Sequence, residues 1–558
     1  MLIEFSSTRW RRSPRVALCS AVFTFACAIA ACPRVAGAQQ HRPSASKGAS
    51  SKSAKQQRPD IARFQARVAA ALAGPNARKA YWGIFVTDAA TGQTLYELNA
   101  DGLFTPASNA KIFTSAFAFA TLGSDYTFRT TIETSGKLDA NGRLRGDLSL
   151  VGRGDPDLSN RKLPFVQKVE RDGDADKIIA ELADAVVARG VKRIDGDIIG
   201  DDSYFAYDPY PEGWTTGDLY FSFGAPISAI ALNDNVITVD IRPGEHLDDP
   251  AQLTVEPAAG YETFGHEITT APSASKVKFS VVREPGVKPV LLRGSIPLGS
   301  APVKIDLALQ EPAEYSAALL KKLLEARGVE ISGTARALHG PPPERQADGG
   351  NVLTPSPIVV APLPPANPPL VLAEHKSLPL IESIRLLNKI SQNLHAELLL
   401  RTIAREKANI GTTDAGIELE KQFLRAAGIA DGDVVLVDGS GLSRQNLVSP
   451  RAVVQMLAYA AQQPWGDSFR STLPIAGEDG TLEDRLKGTA AAGRIHAKTG
   501  SLEHVRGISG YATTLHGENL VFSIFTNNNA APPHEQSAVF DAILIAMIEE
   551  LRLPAARK

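Results

Sequence analysis

Strand-forming sequence sits at both ends of this 558-residue chain, and that placement constrains the fold more than any other feature. Near the start, Tyr81 to Thr87 and Thr94 to Leu98 flank an Ala-Ala-Thr-Gly turn, the pattern of a β-hairpin. Near the end, Arg494 to Ala497, Arg506 to Thr514 and Leu520 to Thr526 read as three strands, the last two joined by His516-Gly517-Glu518-Asn519. A helix follows, with Val539, Ile543, Ile545, Ala546 and Ile548 as its apolar surface. If the hairpin and the late strands form one antiparallel sheet, a single domain is assembled from both chain ends. The middle must then be an insertion.

The length fits about three structural units. From 126 to 338, strand-like runs such as Leu148 to Val151 and Val236 to Val239 alternate with helix-like ones at 177–188 and 314–327, so the insertion is one or two α+β modules. Prolines crowd 339–371, and a residue without an N–H suits neither helix nor ladder, so this stretch is a loop. The expected division is a segment at 1–38 to be removed, a flexible linker at 39–59, a split domain at 60–125 plus 372–558, the insert at 126–338 and the Pro-rich loop.

Arg9, Arg11, Arg12 and Arg15 precede an uncharged, mostly apolar run from Val16 to Ala31, followed by Ala36-Gly37-Ala38, which is the layout of a secretory signal peptide. The run is shorter than the roughly 20 residues of a bilayer helix. Ile29-Ala30-Ala31-Cys32 also resembles a lipoprotein box, and only lipidation of Cys32 would attach the chain to a membrane. Cys19, Cys27 and Cys32 are the only cysteines, so the mature chain has neither disulfides nor a cysteine nucleophile. A net charge of −2 disfavours binding to nucleic acid phosphates. No zinc-ligand spacing or phosphate loop is present, so no metal and no cofactor are expected.

Three short motifs carry chemistry. Ser108-Asn109-Ala110-Lys111 opens an apolar stretch (Ile112, Phe113, Ala116, Phe117, Phe119) that stops at Gly123, a natural helix end. Residues three apart share a helix face, so the Lys111 amine lies beside the Ser108 hydroxyl. Burial near other cationic groups would ease loss of the lysine proton and leave a base able to accept the serine proton. Four other Ser-x-x-Lys pairs, at 44, 159, 273 and 275, do not open a buried helix. Ser391-Gln392-Asn393 leads into a second helix, where Ser and Asn can face a cleft. Lys498-Thr499-Gly500-Ser501 follows a strand, where lysine and hydroxyl can bind a carboxylate and glycine leaves room for an extended peptide. Taken singly, each has a plain structural reading: a capped helix with a solvated lysine, helix capping again, and a solvated turn. His395 and His496, near these motifs, read as packing or surface residues.

Together, in this order and context, the motifs are those of penicillin-binding proteins and serine β-lactamases. The chain more narrowly resembles the D-alanyl-D-alanine carboxypeptidase/endopeptidase family typified by penicillin-binding protein 4. Gly152-Arg153-Gly154-Asp155-Pro156, Gly224 to Ala229, Asp438 to Ser443 and Leu473 to Gly477 share in the resemblance. It implies an α+β fold, a split transpeptidase/β-lactamase-like domain whose antiparallel sheet has helices on both faces, with α+β modules inserted between the first two motifs. The 283 positions from Ser108 to Ser391 accord with that and weigh against a compact class A β-lactamase. By the same resemblance, Ser108 forms an acyl-enzyme, Lys111 takes its proton, and Ser391 with Lys498 relays a proton to departing D-alanine. Asn393 holds the peptide amide, Thr499 the terminal carboxylate, and the N–H groups of Ser108 and Ser501, beside Gly500, the oxyanion. The implied partners are peptidoglycan stem peptides and β-lactams, and the implied location is the periplasm. A serine β-lactamase and a non-catalytic peptidoglycan-binding protein are the competing readings.

Overall fold

A computed structural model describes residues 58–259, 264–283, 290–343 and 368–552. The segment expected to be removed at 1–38, almost all of the linker at 39–59 and most of the Pro-rich loop lie outside the described residues.

The two ends of the chain meet in one five-stranded sheet. Its order is Thr94–Leu98, Tyr81–Asp88, Asn519–Asn527, Val505–Thr513 and Ile495–Leu502. Every neighbouring pair is antiparallel. The strand Tyr81–Asp88 is buried along nearly its whole length, because it is flanked on both edges and covered on both faces. One face packs on Pro59–Leu72 and Pro533–Glu550, with Phe64, Val68, Ile84, Phe522, Phe540 and Ile543 in the shared core. The other packs on the helix Pro450–Ala461, and the helices Lys111–Leu122 and Asn393–Ala408 lie in the same core. The Lys111–Leu122 helix is apolar around nearly its whole circumference, which is why it lies at the centre of that core, and it ends at Gly123, whose φ is +83°.

A second five-stranded sheet has the order Ala335–Gly340, Ile198–Ala206, Leu148–Val151, Arg129–Thr134 and Leu370–Lys376. The helices Lys177–Ala188 and Pro312–Ala326 pack beside it, and two three-stranded sheets, built from segments between 236 and 308, share its core. Leu370–Lys376 pairs with Arg129–Thr134, so residues 372–376, expected with the returning half of the split domain, are an edge strand of this second sheet. The expected start of the late strand also shifts: it runs Ile495–Leu502 and carries Lys498 to Ser501 within it, because each of these residues has a ladder partner on Val505–Thr513.

The inserted segments are tied to the Ser391–Asn393 turn by a buried charge. Asp234 lies in a run, Asn233 to Asn235, held entirely at positive φ. Its carboxylate accepts from Arg161 Nε at 2.8 Å, from Gln392 Nε2 at 3.1 Å, and lies 3.0 Å from His395 Nε2. Burial raises the cost of this charge, but Arg161 and His395 hold the carboxyl well below the usual carboxylate range. Asp234→Ala takes one of two carboxylate partners from Arg161, leaving Glu170, and removes the acceptor of buried His395 and of Gln392; breaking a buried pair of this kind costs up to about 3–5 kcal/mol. The variant should unfold at a distinctly lower temperature by circular dichroism, and an unchanged midpoint would show that this contact does not secure the turn.

Candidate active site

The nucleophile segment is held in place by close backbone approach. Ala107 has a φ of +48°, unusual for a residue with a Cβ, and Ser108 follows it in a short 3-10 turn that leads into the Lys111–Leu122 helix. Gly441, at φ +80°, packs so tightly here that a Cβ would come 1.9 Å from the Ala107 carbonyl oxygen. Gly500 makes a similar approach: a Cβ there would lie 2.6 Å from the Pro106 carbonyl oxygen and from Asn109 Nδ2. The absent side chain of Gly500 therefore faces the nucleophile segment, so this glycine lets the strand close onto Ser108 rather than only leaving space for a peptide.

Lys111 is fully buried and makes three polar contacts. Its Nζ is 2.9 Å from Ser108 Oγ, 2.6 Å from Asn393 Oδ1 and 2.6 Å from the Ser440 carbonyl oxygen. Asn393 Oδ1 and the Ser440 carbonyl can only accept, so they occupy two N–H bonds of Lys111 in either charge state. The third direction points at Ser108. As an ammonium, Lys111 donates to Ser108 Oγ; as a neutral amine, its lone pair accepts from the Ser108 hydroxyl. Burial lowers the lysine from 10.5 to about 7, against the opposing pull of Asp438 and Glu397. Of the two expected causes, burial is the one that dominates, and the carboxylates Asp438 and Glu397 act against it.

Ser391 caps the Leu380–Ile390 helix in the left-handed conformation, φ +64° and ψ +37°, which turns its hydroxyl toward the sheet. Lys498 Nζ lies 2.8 Å from Ser391 Oγ and 2.9 Å from the Thr499 carbonyl oxygen. Lys498 is fully buried as well, and burial with the neighbouring Lys111 pushes it well below the ordinary lysine value. Asn393, the first residue of its helix, donates from Nδ2 to the Phe223 carbonyl at 2.8 Å while its oxygen meets Lys111. A cleft of ≈ 290 Å³ is lined by Ser108, Ser391, Thr499, Gly500 and Ser501. Every site residue expected from the sequence lies at this cleft or directly beneath it. His395 is buried and paired with Asp234, and His496 is half-buried with its value lowered to about 4 by burial and neighbouring cations.

Several contributors were not read as such in the sequence. The Ser440 carbonyl is positioned by Glu397, whose carboxylate accepts from the backbone N–H of Ser440 at 2.7 Å and of Gly439 at 3.1 Å. Asp438 accepts from the backbone of Gly441 and Ser443, from Asn446 Nδ2 and, at 2.9 Å, from Trp214 Nε1 of the insertion. Thr481 Oγ1 lies 2.7 Å from Thr499 Oγ1. The Asp438-Gly439-Ser440-Gly441 run, in which two glycines alternate with small polar residues, was the one available signal for this loop. Among the described residues no group of acidic, histidine and cysteine side chains is arranged to hold a metal ion.

A base that titrates near 7 sets a pH limit. Lys111 must be neutral to accept the Ser108 proton, so the rate of acylation should rise with pH through about 7 and level off above it. Stopped-flow acylation across pH 5–10 checks this; a rate still climbing steeply near pH 10 would mean an ordinary, solvated lysine.

The D-Ala-D-Ala carboxypeptidase 3 (S13) family matches this chain over residues 64–353 and 346–546. A D-alanyl-D-alanine carboxypeptidase of Actinomadura sp. (strain R39) is 34% identical over 491 residues, 86% of this chain and 83% of that protein. The crystal structure of penicillin binding protein 4 from Haemophilus influenzae superposes with a TM-score of 0.70 at 25% identity, covering 87% of this chain and 98% of that one. The same protein complexed with a novel β-lactam gives a TM-score of 0.66 at 24% identity, over 87% and 98% of the two chains.

Proposed function

Because the chain belongs to the D-Ala-D-Ala carboxypeptidase 3 (S13) family and is therefore a serine-type hydrolase, we propose that Ser108 attacks the carbonyl between two D-alanines of a peptidoglycan stem peptide. The observation that carries this assignment is the three-way coordination of Lys111, in which two fixed acceptors leave one direction of Nζ for Ser108 Oγ. Neutral Lys111 takes the Ser108 proton as the Oγ–C bond forms. The negative oxygen that develops meets the backbone N–H groups of Ser108 and Ser501; donors of this kind contribute about 2.7–4 kcal/mol each.

Collapse of the tetrahedral intermediate breaks the C–N bond, and the departing amine needs a proton. Ser391 Oγ supplies it and recovers a proton through Lys498, 2.8 Å away, which relays the one that Lys111 took from Ser108, so that Lys111 is neutral again. Water then attacks the Ser108 ester, with the neutral Lys111 accepting its proton and returning it to Ser108 Oγ as the C–O bond breaks and the shortened peptide leaves. Asn393 retains a free amide hydrogen for the substrate backbone, and Thr499 offers its hydroxyl to the terminal carboxylate. The same steps cleave a D-alanyl crosslink, which makes endopeptidase activity a second outcome of one machinery. A β-lactam acylates Ser108 in the same way, and its opened ring, still attached, hinders water.

The substrate lies outside the cytoplasm, and the layout of residues 1–38 accords with secretion to the periplasm, with lipid attachment if Cys32 is processed as a lipoprotein cysteine. Among the described residues no helix is long and apolar enough to cross a membrane.

Penicillin labelling tests the assignment. The intact chain should gain one penicillin mass, mapped to 106–113. Ser108→Ala should gain none, and Lys111→Ala should acylate more slowly by ~10²–10⁴. Stoichiometric labelling of Ser108→Ala would place the nucleophile elsewhere.

A further inference from the structure

The segment Leu473 to Gly477 has no part in the acylation and deacylation steps, yet both partners of the proton relay are fastened to it. Its backbone pairs with the start of the strand Ile495–Leu502: Ala476 donates to the Ile495 carbonyl at 3.0 Å, and Ala497 donates to the Pro474 carbonyl at 2.9 Å. The second of these bonds lies one residue before Lys498. From the other side, the last turn of the Leu380–Ile390 helix is tied to the same stretch of chain. Asn388, fully buried, donates to Thr472 Oγ1 at 2.9 Å. Lys389, only 3% exposed, donates to the Leu473 carbonyl at 2.7 Å and to Asp479 Oδ2 at 2.5 Å. The other oxygen of Asp479 accepts from the backbone N–H of Ile475 at 2.8 Å, so the ion pair is itself anchored to the segment. Gly480, at φ +59°, lets the chain close on this turn: a Cβ there would lie 2.7 Å from the Lys389 carbonyl oxygen.

Ser391 stands two residues beyond Lys389, where the helix has ended. Its φ of +64° is one that a residue with a Cβ holds only when the surroundings impose it, so the direction of its hydroxyl follows the placement of that last turn. The 2.8 Å between Ser391 Oγ and Lys498 Nζ is therefore set by one short segment, which anchors the residue two before Ser391 and the residue immediately before Lys498. Apolar side chains of like volume often stabilise a fold as well as a buried ion pair does, so a pair at this point has geometry, rather than stability, as its main effect.

We propose that Lys389 and Asp479 are positioning residues for proton delivery to the leaving group, holding the Ser391 helix end where Ser391 Oγ reaches both Lys498 and the departing nitrogen. The proposal rests on the reading of Ser391 as the proton donor. Neither Lys389 nor Asp479 lines the cleft. Their effect falls on cleavage of the C–N bond, because attack by Ser108 uses Lys111 and takes no proton from Ser391. An amine leaves only with a proton, whereas a thiolate leaves without one. Loss of the pair therefore slows amide substrates and spares a thioester that presents the same acyl group.

Measuring kcat/KM, which covers the steps through acylation, tests this on the full chain with an acyl-D-Ala-D-Ala peptide and with a thioester of the same acyl-D-alanine. Lys389→Met should lower the peptide value about 10–100-fold, the scale of a misplacement near 1 Å, and leave the thioester value within about threefold. Asp479→Asn, which keeps an acceptor for Ile475 and removes the charge, should show the same split to a smaller extent, and it decides the matter if Lys389→Met does not fold. Ser391→Ala should show the split in full. Adding Lys389→Met to Ser391→Ala should then cost the peptide little more, because the pair acts through Ser391. Equal losses on peptide and thioester, or losses that multiply in the double variant, overturn the proposal. A split in Ser391→Ala with none in Lys389→Met and Asp479→Asn overturns the proposal alone. A Ser391→Ala chain that slows both substrates alike overturns the donor reading, and the proposal with it.

Discussion

The site depends on the way three neighbours share one buried amine. Asn393 Oδ1 and the Ser440 carbonyl each take an N–H from Lys111, and the geometry that remains points at Ser108. A lysine on an open helix face would be protonated and free to rotate among solvent partners. Here burial removes the solvent and lowers the proton affinity, while the two acceptors fix where the lone pair goes. Each acceptor belongs to a different stretch of chain, so the base works only when three segments are correctly assembled.

That requirement accounts for much of the surrounding architecture. Glu397, on the same helix as Asn393, holds the backbone of Gly439 and Ser440, so a single helix positions both acceptors of Lys111. Burial pushes the Glu397 carboxyl up to about 7 and that of nearby Glu420 to about 8, which moderates the negative charge beneath the lysine. The insertion contributes from the other side. Phe223 orients Asn393, Trp214 holds Asp438, and Asp234 ties the Ser391 turn through His395 and Gln392. The inserted segments therefore act as a structural support for the second motif as well as a separate set of sheets.

The catalytic sheet and its helices were legible because their signals are local: alternating strands, an apolar helix ending in glycine, and motifs with fixed spacing. The assembly from both ends followed from strands that had no other partners. The register of Leu370–Lys376 was not legible, since nothing in those seven residues names Arg129–Thr134 as a partner across the insertion. Nor were the supports of Lys111. Ser440 acts through a backbone carbonyl, which every residue possesses, and Glu397 looks like any helix glutamate until its neighbours are known. The role of Gly500 was half visible: glycine signalled a close approach, but only the structure shows that the approach is to Pro106 and Asn109. The β-lactamase reading gave way to the carboxypeptidase one on the family match; the Lys111 arrangement itself would serve acylation in either.

The most direct test is the protonation state of Lys111 itself, read by nuclear magnetic resonance of chains carrying 15N at the lysine side-chain nitrogens, with Lys111→Arg to assign the signal. The account predicts an amine that loses its proton near pH 7 in the free protein, far below the ordinary lysine value of 10.5. An ammonium signal from Lys111 that persists unchanged to pH 10 would contradict it, because a lysine of that kind cannot accept the Ser108 proton under the conditions in which the peptide is cut.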